Sequence, residues 1–297
     1  MNIDILISKF GRDRIEKNKE LFSYLSLHTH TKAEYFFDAK TQEDLINIIS
    51  LCKKHNDPFL VIGGGSNVVM TKSEIPGLVI KNNYRAFTLE KDNVESVELL
   101  ISSGFIVSIA VQKTIEQGWE GLEYQEGLPG TMGGAIYMNS KWMKPPSFVG
   151  DCLIQATLID QKGNIKKVNR DYFRFGYDYS ILQDTKEIFI EGIFKLKKTS
   201  SEILKKRAKE SSLYRRQTQP VGAATAGCFF RNIPDNLVKR LHLPTSSSGY
   251  LIDKAGLKNL RFGSFIVSDK HANFIINTDN QEVKPEDLLQ LIRSIKV

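Results

Sequence analysis

The spacing of hydrophobic residues predicts a chain that mixes helices and strands. Thr41 is a helix-capping residue followed by acidic residues, and apolar side chains then recur at the helical spacing i, i+3, i+4, i+7, at Leu45, Ile48, Ile49 and Cys52. This pattern predicts an amphipathic helix over residues 41–52. The apolar run 59–62 predicts a strand that leads into Gly63.

Further along the chain, the pattern predicts the following strands: 67–70, 77–81, 94–102, 152–160, 165–168 and 188–197. Residues 161–164 carry turn residues, so the fourth and fifth of these strands are predicted to form a hairpin. Helices are predicted at 106–117, at 199–215 and at 285–297. The second of these helices opens with the capping-box pattern Thr199-Ser-Ser-Glu202. The mixture predicts an α+β protein.

Two glycine-rich segments stand out from this background. The first follows the apolar run 59–62 and reads Gly63, Gly64, Gly65, Ser66, Asn67. The second lies in residues 127–139 and contains Gly127, Pro129, Gly130, Thr131, Gly133, Gly134, Ala135 and Asn139. Either segment alone is typical of a tight turn. Exposed backbone amides in such loops also bind phosphates, so the pair indicates a cofactor with a pyrophosphate.

The familiar nucleotide-binding templates do not fit the first segment. Val68 stands where G-x-G-x-x-G requires its last glycine, and no Gly-Lys-Ser/Thr follows as a P-loop would need. A Rossmann crossover would also require a helix directly after this loop, whereas residues 67–70 are typical of a strand. The cofactor is therefore expected to bind in another type of fold.

Composition and charge narrow the function classes. The 297 residues are 41% hydrophobic and 25% charged, as in a globular protein. The apolar runs are too short for a membrane span, and the N-terminus carries Asp4 and no basic leader. The three cysteines are odd in number and widely spaced, which predicts a reduced intracellular protein without a zinc site.

The net charge of +7 leaves two interpretations open. A basic protein can bind nucleic acid, but the lysines here are spread along the chain and no RNA-binding signature accompanies them. The other interpretation is attraction of polyanionic small molecules. The glycine segments favour the second interpretation.

Together, the two glycine segments resemble the flavin-holding signatures of the UDP-N-acetylenolpyruvoylglucosamine reductase (MurB) family. Other segments agree with that family in the same order along the chain: 216–220, 226–232, 248–258, Gly263 and 267–277. The resemblance covers roughly residues 20–290.

The resemblance implies an α+β fold with a two-lobed FAD-binding domain of the PCMH type and a C-terminal α+β substrate-binding domain. It implies lobes at residues 1–83 and 84–197 and a third domain at 198–297. The implied activity is NADPH-dependent reduction of UDP-N-acetylglucosamine enolpyruvate to UDP-N-acetylmuramate, in peptidoglycan precursor synthesis. We expect non-covalent FAD, NADPH as hydride donor and a UDP-sugar substrate, with no nucleic-acid or membrane partner.

The resemblance also implies roles for particular residues. It assigns FAD binding to the glycine-segment residues named above and to Arg216. Cys228 matches the position of the acid that protonates the substrate, although a cysteine at a strand start is ordinarily a small buried hydrophobe. Substrate contacts are implied for Arg231, Asn232, Tyr177 and Ser180. His271 and Asn273 are better interpreted as structural than as catalytic.

Three departures from the family pattern leave an alternative open. The family's Tyr-Arg-x-Ser, whose arginine polarises the substrate carboxylate, reads Tyr177-Asp178-Tyr179-Ser180 here. Asp178 would oppose the charge that the arginine stabilises, and Arg174 is the other cation nearby. Residues 28–36 lack the usual Gly-Gly-Pro, and the chain ends at Val297 before the family's terminal strand with its catalytic glutamate. The alternative is therefore a flavin- or nucleotide-binding homologue with little or no turnover.

Overall fold

The computed structural model describes residues 3–279 and 283–296. Its α-helices are α1 (Ile3–Phe10), α2 (Gln42–His55), α3 (Val107–Glu116), α4 (Met132–Met138), α5 (Leu182–Thr185), α6 (Ser201–Thr218), α7 (Asp235–Arg240), α8 (Ser248–Lys254) and α9 (Pro285–Lys296). Short 3-10 turns occur at Arg12–Arg14, Phe22–Tyr24, Glu123–Gln125, Val149–Asp151 and Arg170–Phe173. No helix within these described ranges has the length and apolar character needed to cross a membrane.

The strands group into four sheets. Their bounds are β1 (Ile15–Glu20), β2 (Lys32–Ala39), β3 (Phe59–Ile62), β4 (Glu74–Asn82), β5 (Phe87–Asp92), β6 (Ser96–Ser102), β7 (Trp119–Glu120), β8 (Lys141–Met143), β9 (Pro146–Phe148), β10 (Leu153–Ile159), β11 (Ile165–Asn169), β12 (Ile188–Lys198), β13 (Ala224–Cys228), β14 (Arg261–Phe262), β15 (Phe265–Val267) and β16 (Phe274–Asn277). This mixture confirms the α+β prediction.

The chain forms two compact units, each assembled from separate stretches. Unit 1 comprises Met1–Lys19, Ala33–Gly64 and Pro76–Tyr214, and unit 2 comprises Glu20–Lys32, Gly65–Ile75 and Arg215–Val297. The first glycine segment is therefore divided, because its first two glycines belong to unit 1 and the rest to unit 2. The division of the chain into two lobes and a third domain stays a prediction.

Unit 1 contains two larger sheets with separate hydrophobic cores. The first has the order β1-β2-β4-β3, with β3 and β4 parallel, and helices α1 and α2 contribute to its core. The second has the antiparallel order β11-β10-β12-β6-β5, and helices α3 and α4 help to fill its core. Strands β8 and β9 form a small hairpin.

Unit 2 is built on an antiparallel sheet with the order β13-β16-β15-β14. Helices α8 and α9 pack their apolar faces into its core, where Ile252, Leu288 and Leu291 are buried together with Phe265. Ile292 and Ile295 lie against the same core, as their helical spacing predicts. Val297 lies outside the described residues.

Most predicted elements are confirmed. In α2, Leu45, Ile48, Ile49 and Cys52 are buried, and Thr41 caps the helix in a capping box with Asp44. The predicted hairpin is formed by β10 and β11, which pair around the turn at 161–164. The strand predicted from residue 94 begins at Ser96, because Val94 is almost fully exposed and precedes the paired residues.

Two local predictions are wrong. Residues 67–70, all described, form a turn and an extended loop rather than a strand, so their apolar composition did not specify a strand. Helix α6 is capped by Ser200 and not by Thr199: the Ser200 hydroxyl accepts a hydrogen bond from the Glu202 amide at 3.2 Å. The Thr199 amide instead donates to the Gly118 carbonyl. A run of three adjacent Ser/Thr residues does not specify which one caps.

Candidate functional site

Within unit 1, the two glycine segments pack closely against each other. A Cβ atom on Gly63 would lie 2.2 Å from the Thr131 Oγ1 atom, and one on Gly64 would lie 2.6 Å from the Gly130 Cα atom. Both contacts are far shorter than van der Waals distance, so this approach requires glycine. The Lys81 side-chain amine donates to the Gly63 carbonyl and fixes the start of the first segment. Burial lowers the pKa of Lys81.

Hydrogen bonds to residues 103–107 anchor the second glycine segment. The Val107 amide donates to the Gly130 carbonyl at 3.1 Å, and the Gly133 amide donates to the Ser103 carbonyl at 2.8 Å. The Ser103 hydroxyl in turn accepts from the Asn82 side chain at 2.7 Å. Gly130 has φ 105°, a left-handed conformation that strongly favours glycine. The loop is therefore stiff.

These residues fit a dinucleotide cofactor such as FAD. Gly64 and Gly134 are exposed although their neighbours pack tightly, and a Cβ on Gly134 would meet no atom within 4 Å. The backbone is thus bare on one side, where phosphate oxygens or a flat ring can approach amide groups closely. Larger side chains at these positions would fill that space.

Four predicted FAD contacts, Gly65, Ser66, Asn67 and Arg216, lie in unit 2. Gly65 is buried with φ 65°, and a Cβ there would lie 1.9 Å from the Tyr24 carbonyl oxygen. Its own carbonyl accepts from the Ser26 amide at 3.1 Å. Asn67 and Arg216 are exposed, and the Arg216 carbonyl accepts a hydrogen bond from Lys270. The contacts of these residues with FAD stay a prediction.

Tyr177 and Asp178 form the tip of a tight turn. Gly176 and Tyr179 exchange both backbone hydrogen bonds, at 3.1 and 3.4 Å, and Asp178 has φ 52°. Aspartate tolerates this left-handed conformation better than most residues. Tyr177 is half exposed and Asp178 is partly buried.

The turn is fixed to the C-terminal end of α4. The Ser180 hydroxyl donates to the Tyr137 carbonyl at 2.7 Å, and the Asn139 side chain donates to the Gly176 carbonyl at 3.0 Å. Ser180 is fully buried, so its hydroxyl holds the turn and faces no solvent. Asn139, one of the predicted FAD contacts, is likewise buried and also accepts from the Gly150 amide. The turn and the second glycine segment are thus connected through α4.

A cation lies beside Asp178, and it is not the one considered from the sequence. The Lys141 amine forms an ion pair with the Asp178 carboxylate and lies 3.6 Å from the centre of the Tyr177 ring. The Lys141 side chain is only 14% exposed. Arg174, the alternative cation, is exposed at the end of a 3-10 turn. An aspartate at the position where the resemblance expects arginine implies that another residue supplies the positive charge. The sequence alone does not identify that residue as Lys141, because no motif or spacing relates the two positions.

In unit 2, Cys228 is the last residue of β13 and is exposed, so it is neither at a strand start nor a buried hydrophobe. Asn273 fixes the backbone that follows Cys228. The Asn273 side chain accepts from the Phe230 amide and donates to the Phe230 carbonyl, both at 2.8 Å. These bonds support the structural interpretation of Asn273. They give Cys228 a defined position at the start of a rigid turn.

The other thiols differ sharply from Cys228. Cys52 is buried in the core of the first sheet, and burial raises its pKa to about 12. Burial also raises the pKa of the Cys152 thiol to about 12. Because protonated, buried thiols react poorly, Cys228 is the cysteine best placed to meet a ligand.

Arg231 and Asn232 follow Cys228 and are both exposed. The Arg231 carbonyl accepts from the Ser248 hydroxyl at 2.5 Å, and the Asn232 side chain accepts from the Ser248 amide at 3.2 Å. These bonds fix the backbone of the turn against the start of α8 and leave the Arg231 guanidinium at the surface. Among the described residues no cluster of three or more His, Cys, Asp or Glu side chains could hold a metal ion.

Comparison with known proteins finds similarity along most of the chain. Residues 33–169 match the family model of an FAD binding domain, and residues 219–297 match that of the C-terminal domain of UDP-N-acetylenolpyruvoylglucosamine reductase. The crystal structure of the MurB enzyme from Thermus caldophilus superposes with a TM-score of 0.79 at 27% identity, covering 95% of this chain and 94% of that chain.

Two relatives are named UDP-N-acetylenolpyruvoylglucosamine reductase. The UDP-N-acetylenolpyruvoylglucosamine reductase of Protochlamydia amoebophila is 35% identical over 266 residues, which cover 89% of this chain and 82% of the relative. That of Lachnoclostridium phytofermentans is 30% identical over 286 residues, which cover 96% and 87%. The chain therefore belongs to the UDP-N-acetylenolpyruvoylglucosamine reductase family of FAD-containing oxidoreductases, which act in peptidoglycan precursor synthesis.

Proposed function

We propose that this chain reduces UDP-N-acetylglucosamine enolpyruvate to UDP-N-acetylmuramate with NADPH, using non-covalently bound FAD. The observation that carries the proposal is the backbone packing of Gly63 and Gly64 against Gly130 and Thr131, which leaves bare amides beside a stiff loop. Membership of the MurB family supports the substrate and the reaction. Neither glycine segment contains a histidine or cysteine, the side chains to which flavins are most often linked covalently.

FAD, when bound, would carry reducing equivalents from NADPH to the enolpyruvyl group. The chain's own residues would orient the substrate and handle charge and protons. Reduction at the methylene carbon leaves negative charge on the neighbouring carbon and its carboxylate, and the Cys228 Sγ–H would protonate that carbon. A thiol, with a pKa near ~8.5 in model peptides, is a far stronger acid than an alcohol and suits this role.

The charge of the chain supports binding of anionic ligands. The net charge of +7 would attract NADPH, FAD and a UDP-sugar, all of which carry phosphates. Exposed Arg231 would meet a substrate phosphate, with Asn232 beside it. We place the enzyme in the cytoplasm, where these metabolites are found.

The rival function is flavin or nucleotide binding without turnover. It draws support from Asp178, which stands where the family has an arginine. Steady-state NADPH oxidation by the purified protein separates the two. We expect oxidation that depends on the enolpyruvyl UDP-sugar, together with complete release of yellow flavin from acid-precipitated protein. Bound flavin with no substrate-dependent oxidation would favour the rival, and a colourless protein would contradict both.

A further inference from the structure

We infer that Lys141, held in place by Asp178, is the cation that binds the carboxylate of the UDP-sugar substrate. This inference rests on the proposed function, because it concerns the same substrate. It assigns Asp178 the part of a positioning residue. The substrate carboxylate would thus meet a lysine from the β8 hairpin rather than an arginine from the Tyr177–Ser180 turn.

The Lys141 ammonium is partly buried, and one of its hydrogen-bond donors is used by Asp178. Its side chain is 14% exposed, whereas that of Asp178 is 27% exposed. Among the described residues its one hydrogen bond goes to Asp178, and the Tyr177 ring covers one further side at 3.6 Å. An ammonium group has three N–H donors. Removing a charge from water is costly unless its donors are used, so the partly buried ammonium has donors that a second anion could accept from.

The position of Lys141 is also fixed relative to the predicted flavin loop. Lys141 lies two residues after Asn139, where α4 ends, and α4 begins within the second glycine segment. The Asn139 and Ser180 hydrogen bonds lock the facing turn onto the same helix end. The cation, its carboxylate anchor and the glycine segment thus form one rigid part of unit 1. A carboxylate bound at Lys141 would be held at a set distance from that segment.

A second lysine–carboxylate–tyrosine cluster in unit 1 shows what a purely structural pair looks like. Lys166 contacts Glu187 at 2.5 Å and lies 4.1 Å from the centre of the Tyr172 ring. There the Lys166 amine also donates to the Tyr172 hydroxyl at 2.6 Å, and that hydroxyl donates to Glu187 at 2.7 Å. The three groups satisfy one another in a closed triangle. The Lys141 cluster does not form such a triangle, because Lys141 lies over the face of the Tyr177 ring instead of donating to the Tyr177 hydroxyl.

The test compares two ligands that differ in the carboxylate. UDP-N-acetylmuramate carries it, and UDP-N-acetylglucosamine does not. We expect Lys141→Met to weaken binding of UDP-N-acetylmuramate to the FAD-loaded protein by at least about tenfold in calorimetry, the effect of losing a charge-assisted hydrogen bond. Binding of UDP-N-acetylglucosamine should change by less than about twofold, and Lys141→Arg should retain most of the affinity for UDP-N-acetylmuramate.

Lys166→Met is the matched control, because it also removes a lysine from a carboxylate–tyrosine cluster. It should leave binding of both ligands unchanged even if it lowers the melting temperature. Flavin absorbance confirms that each variant is folded. Unchanged binding of UDP-N-acetylmuramate by Lys141→Met, or parallel loss of both ligands, would overturn the inference alone. If the unmodified chain binds UDP-N-acetylmuramate no better than UDP-N-acetylglucosamine, the proposed function fails with it.

Discussion

At the scale of single residues, the predicted cofactor site depends on glycines, because the absence of a side chain lets the backbone of the two segments approach closely. Gly64 approaches the Gly130 backbone so closely that position 64 cannot carry a side chain, and the left-handed conformation of Gly130 strongly favours glycine. The sequence could predict a need for glycine from the clustering of these residues. It could not show that the two segments contact each other, because Gly64 and Gly130 lie 66 positions apart (130 − 64) and only the folded sheets bring them together.

The first prediction concerns these glycines. Gly64→Val and Gly130→Val should each abolish flavin retention, because the side chain added at Gly64 collides with the Gly130 backbone and the one added at Gly130 meets a left-handed conformation. Flavin content after gel filtration measures the effect. Gly176→Ala is the control, since a Cβ there meets Tyr179 at an ordinary 3.7 Å. Full flavin content in either valine variant would contradict the account.

Cys228 supports a second prediction at this scale. If its thiol protonates the substrate, Cys228→Ala should leave flavin reduction by NADPH nearly unchanged and slow reoxidation by the enolpyruvyl UDP-sugar. General acid catalysis typically contributes about 10²–10⁴-fold. Stopped-flow absorbance follows the two half-reactions separately. Cys152→Ala, which removes a partly buried thiol, is the comparison, and an equal loss in both half-reactions of Cys228→Ala would indicate a structural role.

At the scale of elements, sequence patterns predicted helix starts and buried faces correctly where a single residue was suited to each position. Thr41 followed by Asp44 specified the start of α2, and its apolar spacing specified the buried face. The pattern failed where several residues competed, as at 199–201, or where a loop has strand-like composition, as at 67–70. The pairing of Lys141 with Asp178 was equally hidden, because it joins a hairpin to a distant turn.

Ser200 provides a test at the start of α6. Its hydroxyl accepts a hydrogen bond from the Glu202 amide, so Ser200→Ala should lower the free energy of unfolding by about 1 kcal/mol. Thr199→Ala should have a much smaller effect, because the structure uses the backbone amide of Thr199 rather than its side chain. Urea unfolding of the two variants measures the difference. A larger loss of unfolding free energy in Thr199→Ala than in Ser200→Ala would show that Thr199 caps the helix, as the sequence pattern predicts.

The ion pair that joins α2 to the first 3-10 turn predicts a pH dependence. Arg14 donates to both carboxylate oxygens of Asp44, at 2.9 and 3.0 Å. Burial alone would raise the pKa of Asp44, but the hydrogen bonds and charge of Arg14 outweigh burial and lower it. The pair therefore stabilises the fold above the unfolded pKa of about 3.9, and this contribution is lost as the pH falls through the folded pKa.

Asp44→Asn removes the titrating carboxyl group and should reduce the change in the free energy of unfolding with pH. The variant should be less stable than the parent at pH 7 and should lose less stability on acidification to pH 3. Urea titrations at the two pH values give both quantities. Identical acid sensitivity in the variant and the parent would show that Asp44 contributes nothing to it.

At the scale of the whole molecule, family membership and the positions of the candidate residues support one account. The sequence identified the family through motifs in the correct order, and the relatives confirm it over most of the chain. The charge difference at Asp178 suggested weak turnover when considered alone. With Lys141 beside it, the site retains a cation, so the account predicts an active enzyme.

The most direct test of that account is the ratio of UDP-N-acetylmuramate formed to NADPH oxidised, measured under anaerobic conditions. The FAD-loaded protein is mixed with NADPH and the enolpyruvyl UDP-sugar, and the product is quantified by mass spectrometry. The account predicts one UDP-N-acetylmuramate for each NADPH, and, when the UDP-sugar is omitted, no NADPH oxidation beyond the single equivalent that reduces the bound FAD. Continued oxidation without the UDP-sugar, or flavin-loaded protein that forms no UDP-N-acetylmuramate, would contradict it.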